Sequence, residues 1–301
     1  MKKIIEWAQN PAKIINIFLL KFPKAAKIVP DKLFVKIRYK AMFGTSLNLE
    51  APRTYNEKLQ WLKLYNRNSL YTMLVDKYAV KQWVADKIGK QYIIPTIGVW
   101  NRFEDIDFEK LPNQFVLKCT HDSGGLVIVK DKKSLDIADA KKKICKCLKK
   151  NFYYFAREWP YKNVSPRIIA EEYMEDDSGE LKDYKFFCFD GEVKALFIAS
   201  DRQNKNEDTK FDFFDRDFNH LPFTNGHPNA RELPHKPRMY NEMISLAEKL
   251  SVGFPHARVD FYEIGLKVYF GEITFFHWSG FVPFEPEEWD YKFGSWIKLP
   301  K

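Results

Sequence analysis

From about residue 92 the chain breaks into short β-branched and aromatic runs separated by turns, and this change of pattern constrains the fold most. Tyr92-Ile93-Ile94, Ile97-Gly98-Val99-Trp100, Phe115-Val116-Leu117-Lys118 and Leu126-Val127-Ile128-Val129 each read as a strand. A Lys-rich helix is expected over about 136–150. Strands follow around 167–173, 184–189 and 193–199, with Asp190-Gly191 closing a hairpin. Residues 202–237, rich in Pro, Asn, Asp and His, read as a long loop with short strands. A helix near 239–251 precedes two strong strands at 257–262 and 267–275. Before residue 92 the pattern is helical: Pro11, Pro23, Pro30 and Pro52 punctuate it, and Tyr55–Leu62 and residues 71–90 carry apolar positions at helix spacing, with Gly89 as a stop. Strands and helices mixed in this order give an α+β or α/β architecture.

The 301 residues are 45% apolar, with 26 Phe, 15 Tyr and 8 Trp, enough to build a sizeable core and to exclude a disordered or collagen-like chain. Lys and Arg number 49 against 40 Asp and Glu, a balance of +9 that favours anionic partners such as nucleotides, acidic sugars or a cytoplasmic leaflet. Charge and aromatics also permit nucleic acid, but no recognised binding module appears. Cys119, Cys145, Cys147 and Cys188 form no C-x-x-C pair, so the expectation is reduced thiols in a cytosolic compartment. The apolar run at 14–20 is far short of the roughly 20 residues a membrane span needs. Flanked by Lys13, Lys21, Lys24 and Lys27, it fits an amphipathic helix on an anionic membrane surface, or a helix packed on its own domain.

Three segments carry candidate chemistry. In the first, a strand delivers Lys118, and the polar loop Thr120-His121-Asp122-Ser123-Gly124-Gly125 runs straight into the next strand. Glycines let backbone N–H groups approach phosphate oxygens, and a lysine neutralises their charge. The spacing is not G-x-x-x-x-G-K-[ST] and no helix follows, so P-loop and Rossmann readings fail; an ordinary hairpin turn stays open. In the second, Glu171 and Glu172 emerge from the apolar run Ile168-Ile169-Ala170, followed by Tyr173-Met174 and, after an acidic turn, Asp183-Tyr184-Lys185. In the third, alternation puts Arg258 and Asp260 on one face of a strand, and Glu272 and Thr274 on one face of the next. Paired antiparallel, those carboxylates can share a divalent cation, and Mg²⁺ is commonly held by one or two carboxylates plus substrate phosphates.

With these segments, the chain resembles the ATP-grasp superfamily and, more narrowly, the TupA-like (teichuronopeptide-biosynthesis) family of bacterial surface-polysaccharide pathways. The narrower resemblance rests on Tyr55-Asn56-Glu57-Lys58-Leu59-Gln60-Trp61-Leu62-Lys63-Leu64-Tyr65, Arg157-Glu158-Trp159-Pro160-Tyr161-Lys162 and Phe284-Glu285-Pro286-Glu287-Glu288-Trp289-Asp290, and it extends over about residues 30–299. It implies an α+β ATP-grasp fold in which two lobes grip ATP. Residues 1–70 would form a mainly helical extension and 71–301 the core, with a lid lobe at about 112–172 and an Mg²⁺ and acceptor lobe at about 173–301.

The resemblance also implies roles. Lys77 and Lys118 would contact ATP phosphates beneath a lid that includes Ser123, Gly124 and Gly125. Glu171, Glu172, Tyr173 and Met174 would form the inter-lobe strand reading adenine and ribose, and Asp183 and Lys185 would face the phosphates. Asp260, Glu272 and Thr274 would hold Mg²⁺, Thr274 standing where many relatives carry Asn. Arg258 would stabilise a tetrahedral intermediate. Arg202, His277, Ser279 and Gly280 would serve the acceptor, His277 being a candidate base and Trp278 narrowing the pocket. The implied reaction joins a carboxylate, activated as an acyl phosphate, to an amine. A uronic acid of a capsular or cell-surface polysaccharide and an amino acid or small amine are the expected substrates, met in the cytoplasm or at the inner membrane face. The alternative is a glycosyltransferase of the same pathway.

Overall fold

The computed structural model describes residues 10–122, 124–176, 181–201 and 208–300. Helices α1 (Pro11–Lys21), α2 (Pro23–Ile28) and α3 (Asp31–Phe43) come first, and Gly44 ends α3 in the left-handed region at φ 76°. Helix α4 (Tyr55–Tyr65) starts on a complete capping box, in which the Thr54 side chain accepts from Glu57 N–H and the Glu57 carboxylate reaches back to Thr54 N–H.

The single helix expected over 71–90 is two helices, α5 (Leu70–Leu74) and α6 (Ala79–Ile88). Asp76 causes the break. Its Oδ1 accepts from the N–H groups of Tyr78 and Ala79 at 2.8 and 3.1 Å, starting α6 afresh, while Oδ2 accepts from Arg167 at 2.7 Å. Lys77 is thereby lifted off a helix face and into a kink. The strand expected at 92–94 is absent as well. A 3₁₀ turn covers Lys90–Tyr92, and Ile93 makes a lone bridge to Phe270. Pro95, which has no N–H to donate, stops any ladder there.

Strands β1 (Thr96–Trp100), β2 (Phe115–Cys119) and β3 (Leu126–Val129) precede α7 (Ile137–Leu148) and the short α8 (Tyr153–Ala156). With β4 (Ile168–Glu172) they form an antiparallel sheet in the order β1-β4-β2-β3, backed by Ala140, Ile144 and Cys147 of α7. The second sheet uses β5 (Asp183–Phe189), β6 (Glu192–Ser200), β7 (Lys210–Asp215), β8 (His220–Leu221), β9 (Ala257–Ile264) and β10 (Lys267–Thr274). It too is antiparallel, in the order β10-β9-β5-β6-β7-β8. The architecture is α+β.

Every residue of β5 is buried because both faces of the large sheet are covered. Helix α9 (Tyr240–Ser251) packs on one face, with Tyr240 against Phe186. On the other, α4 and α10 (Glu288–Trp296) bring Tyr55 and Phe293 edge-on to Phe187. Helix α4, read from sequence as part of the N-terminal extension, is thus built into this core. Helices α1 and α3 make a third cluster, in which Leu19, Phe34 and Val35 meet Ala156 and Phe281.

Candidate active site

Strand register builds the centre of the site. Asp260 of β9 lies opposite Glu272 of β10 on one side and Lys185 of β5 on the other, giving one row across three strands. The β9–β10 register slips at Gly271, where a Cβ would sit 3.1 Å from the Asp260 carbonyl oxygen and 3.2 Å from the Tyr262 ring. The bulge puts Glu272 directly across from Asp260, and Thr274 across from Arg258.

Arg258 is the hub. Its Nε and Nη2 donate to the two Asp260 oxygens at 2.8 Å each, and Nη2 also reaches Glu272 Oε1 and Thr274 Oγ1 at 3.1 Å. Nη1 donates to His277 Nδ1 at 2.7 Å. A guanidinium has no acceptor, so Nδ1 must carry the lone pair, and Nε2–H then donates to Asn225 Oδ1 at 2.9 Å. Burial first, then the Arg258 charge, hold the His277 imidazole well below its ordinary pKa. The candidate base therefore has both ring nitrogens committed and acts on Arg258.

Lys185 Nζ pairs with Asp260 Oδ2 and lies 3.4 Å from Asp183 Oδ1. Asp260 is 1% exposed, whereas the Glu272 side chain keeps 39% of its surface open. Burial alone would raise the Glu272 carboxyl, but Lys185, Lys77 and Arg258 hold it down to about 2. Glu272 is the open, ionised carboxylate of the pair, and Asp260 is its saturated neighbour.

A polar cavity of about 180 Å³ beside the row is lined by Lys77, Lys118, Asp122, Gly125, Glu171, Asp183, Lys185 and Glu272. Lys77 is oriented by its Nζ donating to Asp122 O at 2.7 Å and by its own N–H donating to Thr120 O at 3.0 Å. The cavity shares Lys118, Leu126, Glu171 and Tyr262 with an apolar slot of about 320 Å³, whose walls include Ile94, Val116, Ile128, Met174 and Ala199, with Glu172 and Tyr173 at its edge. Alternation separates the paired glutamates: Glu171 is 4% exposed and bound by Lys81 at 2.5 Å and Lys118 at 2.6 Å, while Glu172 is exposed. Burial opposes ionisation of Glu171, and the two lysines outweigh it, leaving its pKa lowered. Gly124 lines a neighbouring cavity. Ser123 and Arg202, both expected in the site, lie outside the described residues.

A sequence model of the TupA-like ATPgrasp family matches residues 57–298. The chain belongs to that family. Its fold is accordingly the ATP-grasp fold, in which the two sheets flank the cleft just described. Among solved structures the chain is similar to D-alanine–D-alanine ligase from Helicobacter pylori, at 14% identity and a TM-score of 0.42, covering 83% of this chain and 70% of that one. It is also similar to an L-amino acid ligase from Bacillus licheniformis, at 10% identity and TM-score 0.43, covering 83% and 55%. D-alanine–D-alanine ligase from Bacillus anthracis, crystallised with ATP, gives 16% identity and TM-score 0.37, covering 67% and 54%, so this chain spans about half of that enzyme's length. A comparison with curated proteins gives no match.

Two of the three strings behind the TupA-like resemblance meet at the turn at His277–Gly280, and the third joins the first through Asp290 and Asn56. Gln60 Nε2 donates to Gly280 O at 2.6 Å and Ser279 O at 3.2 Å, and Lys63 Nζ donates to Ser279 O at 2.9 Å and Ala156 O at 3.0 Å. Ser279 Oγ donates to Glu158 Oε1 at 2.5 Å, Asn56 Nδ2 donates to Val282 O at 3.2 Å, and Asp290 Oδ1 accepts from Asn56 N–H at 2.9 Å. Lys63 and Glu158 are 0% and 4% exposed. Burial pushes the Glu158 carboxyl up to about 7 against the pull of the Ser279 hydrogen bond and of Lys63, and burial lowers Lys63. None of Asn56, Gln60, Lys63, Glu158 or Asn225 was singled out from sequence as a site residue. The signal was present for α4, where Asn56, Gln60 and Lys63 form a polar stripe at i, i+4 and i+7 on a helix otherwise bound for the core. Lys81 was missed too, although it follows Lys77 by four residues.

Proposed function

We propose that this ATP-grasp protein is an ATP-dependent carboxylate–amine ligase whose carboxylate substrate is a uronic acid of a surface polysaccharide or its precursor, joined to an amino acid or small amine. The observation that carries the reading is the row Lys185–Asp260–Glu272 with Arg258 at its centre, opening onto a lysine-lined cavity that continues into an apolar slot. The slot suits a flat base, with Glu172 at its rim for ribose hydroxyls; Lys77, Lys118 and Lys185 suit a triphosphate. Glu272, with Asp260 behind it, suits Mg²⁺. An ion held there would complete its shell from phosphate oxygens and water. Bound there, Mg²⁺ would supply charge neutralisation to the phosphates.

In this reading the acceptor carboxylate attacks the γ-phosphorus, an acyl phosphate and ADP form, and a deprotonated amine displaces phosphate through a tetrahedral intermediate. Arg258 faces that intermediate, its guanidinium locked by Asp260, Glu272, Thr274 and His277, so little reorganisation is needed. In this reading the small sheet, whose β2, β3 and β4 fall in the expected lobe at about 112–172 while β1 lies ahead of it, closes on the large one at about 173–301. The helical N-terminus adds a location: α1 and α2 expose Ile14, Ile15, Phe18, Phe22 and Ile28 beside exposed Lys21, Lys24 and Lys27, a surface suited to the anionic inner face of a membrane. Among the described residues no helix is long and apolar enough to cross a membrane.

The test measures ADP and phosphate release against a panel of uronic acids and amines, with sugar-nucleotide hydrolysis as control. ADP formation that needs both substrates supports the ligase. Sugar transfer from a nucleotide donor without ATP consumption replaces it with the glycosyltransferase.

A further inference from the structure

Residues 278–280 carry three successive positive φ angles, 50° at Trp278, 55° at Ser279 and 62° at Gly280. For Trp and Ser that backbone costs on the order of 1–2 kcal/mol each and persists only where the surroundings over-determine it. They do so here, because Gln60, Lys63 and Glu158 clamp the turn from beneath. The indole itself is fixed as well. Its Nε1–H donates to Asn225 O at 3.3 Å, Phe211 stacks with it at 6.0 Å between ring centroids and 23° between planes, and His227 lies 5.7 Å away. Gly226, at φ 85°, closes on the ring so tightly that a Cβ there would stand 2.9–3.1 Å from three indole atoms. Despite this anchoring Trp278 remains 39% exposed, and it is the one exposed Trp among the described residues. Its ring centroid is 5.7 Å from that of His277, whose Nδ1 accepts from Arg258.

A fold that strains a large aromatic residue, holds it rigid and leaves its surface in water beside the histidine that touches Arg258 is presenting a binding surface. We infer that the exposed face of Trp278 is the shelf on which the pyranose ring of the acceptor lies, which makes Trp278 a specificity residue; the inference rests on the ligase reading above. A pyranose has one face of C–H groups that covers an indole, while its hydroxyls project from the edge, where His227 offers an imidazole to bond them. Burial keeps His227 below its ordinary pKa, and with its N–H turned to the Thr209 backbone its other ring nitrogen can accept from a sugar hydroxyl. A small amine has no such face. A ring carrying a carboxylate can rest on Trp278 and direct the carboxylate toward Arg258.

The test uses the full chain with ADP and Mg²⁺. Saturation-transfer NMR is recorded with glucuronate, with galacturonate and with a non-cyclic hydroxy acid of equal charge, in wild type, Trp278→Ala and Trp278→Tyr. The expected result is transfer to the ring C–H protons of the uronates in wild type, its loss in Trp278→Ala and its partial rescue in Trp278→Tyr. In turnover, KM for the uronate should rise roughly tenfold in Trp278→Ala, the scale of one lost apolar contact, with KM for ATP and the kcat for bound acceptor little changed. Circular dichroism and ATP affinity equal to wild type establish that the variants fold. Unchanged uronate transfer and KM in Trp278→Ala overturn the shelf while leaving the ligase standing. A wild type that binds no uronate ring yet forms ADP with other carboxylates overturns it in the same way. A wild type that consumes no ATP with any carboxylate and amine overturns the ligase reading and the shelf with it.

Discussion

Arg258 holds Asp260 through two parallel N–H bonds while a third edge of the same guanidinium meets His277, a set no ammonium can reproduce. Arg258→Lys should therefore keep ATP binding near wild type and lower kcat by about 10²–10³, the usual loss for one donor aimed at a developing oxyanion. Lys118→Ala should do the reverse and raise KM for ATP, since in the proposed reading Lys118, paired here with Glu171, would meet a ground-state phosphate; steady-state kinetics separates the two. The paired carboxylates differ in the same way. Glu272→Gln removes a half-open charge held by Arg258 and should abolish Mg²⁺-dependent turnover at a smaller cost in thermal stability. Asp260→Asn strips the counter-charge from buried Arg258 and Lys185, and breaking such a pair costs about 3–5 kcal/mol. It should lose both activity and several degrees of melting temperature. Equal melting points for the two variants would contradict this division of labour.

At the scale of elements, α10 and α4 pack through backbone. Gly294 presses on the N-terminus of α4 so closely that a Cβ would lie 2.3 Å from Arg53 O and 2.7 Å from Tyr55 N, and Lys58 closes the contact by donating to Gly294 O and Ile297 O at 2.8 Å. Neither neighbour can yield, so Gly294→Ala should destabilise by about 1–3 kcal/mol in denaturant titration. Asp290 of α10 accepts from the α4 backbone at Asn56, and burial raises its carboxyl to about 6. A carboxyl whose folded pKa is raised stabilises the fold fully below its unfolded value, and that contribution is lost as pH rises through about 6. Asp290→Asn keeps the acceptor oxygen without the charge. It should melt close to wild type at pH 4 and above it at pH 8, by an amount worth on the order of 2 kcal/mol. A constant difference across that range would show that Asp290 is not titrating.

For the whole molecule, the basic surface around α1 and α2 predicts retention on vesicles containing phosphatidylglycerol, weakened by salt and by Phe18→Ser with Phe22→Ser, and little retention on phosphatidylcholine alone, in a sedimentation assay. Much of the architecture was legible from sequence because its signals are local. Period-two alternation placed Arg258, Asp260, Glu272 and Thr274 on their strand faces, Asp190-Gly191 announced its hairpin, and the Lys-rich segment gave α7. The helix over 71–90 misled because Asp76 caps α6 only once Arg167, ninety-one residues away, holds its other oxygen. The convergence of Gln60, Lys63, Glu158 and Asn225 on the 277–280 turn was invisible for the same reason: each looks like an ordinary polar residue in its own segment. Sequence by itself determined the elements, their faces and the family, since these follow from propensity, periodicity and short strings. Only the tertiary structure decided which carboxylate is open, which histidine nitrogen carries the proton and which tryptophan is presented to solvent, because burial and hydrogen-bond partners are properties of segments brought together from far along the chain.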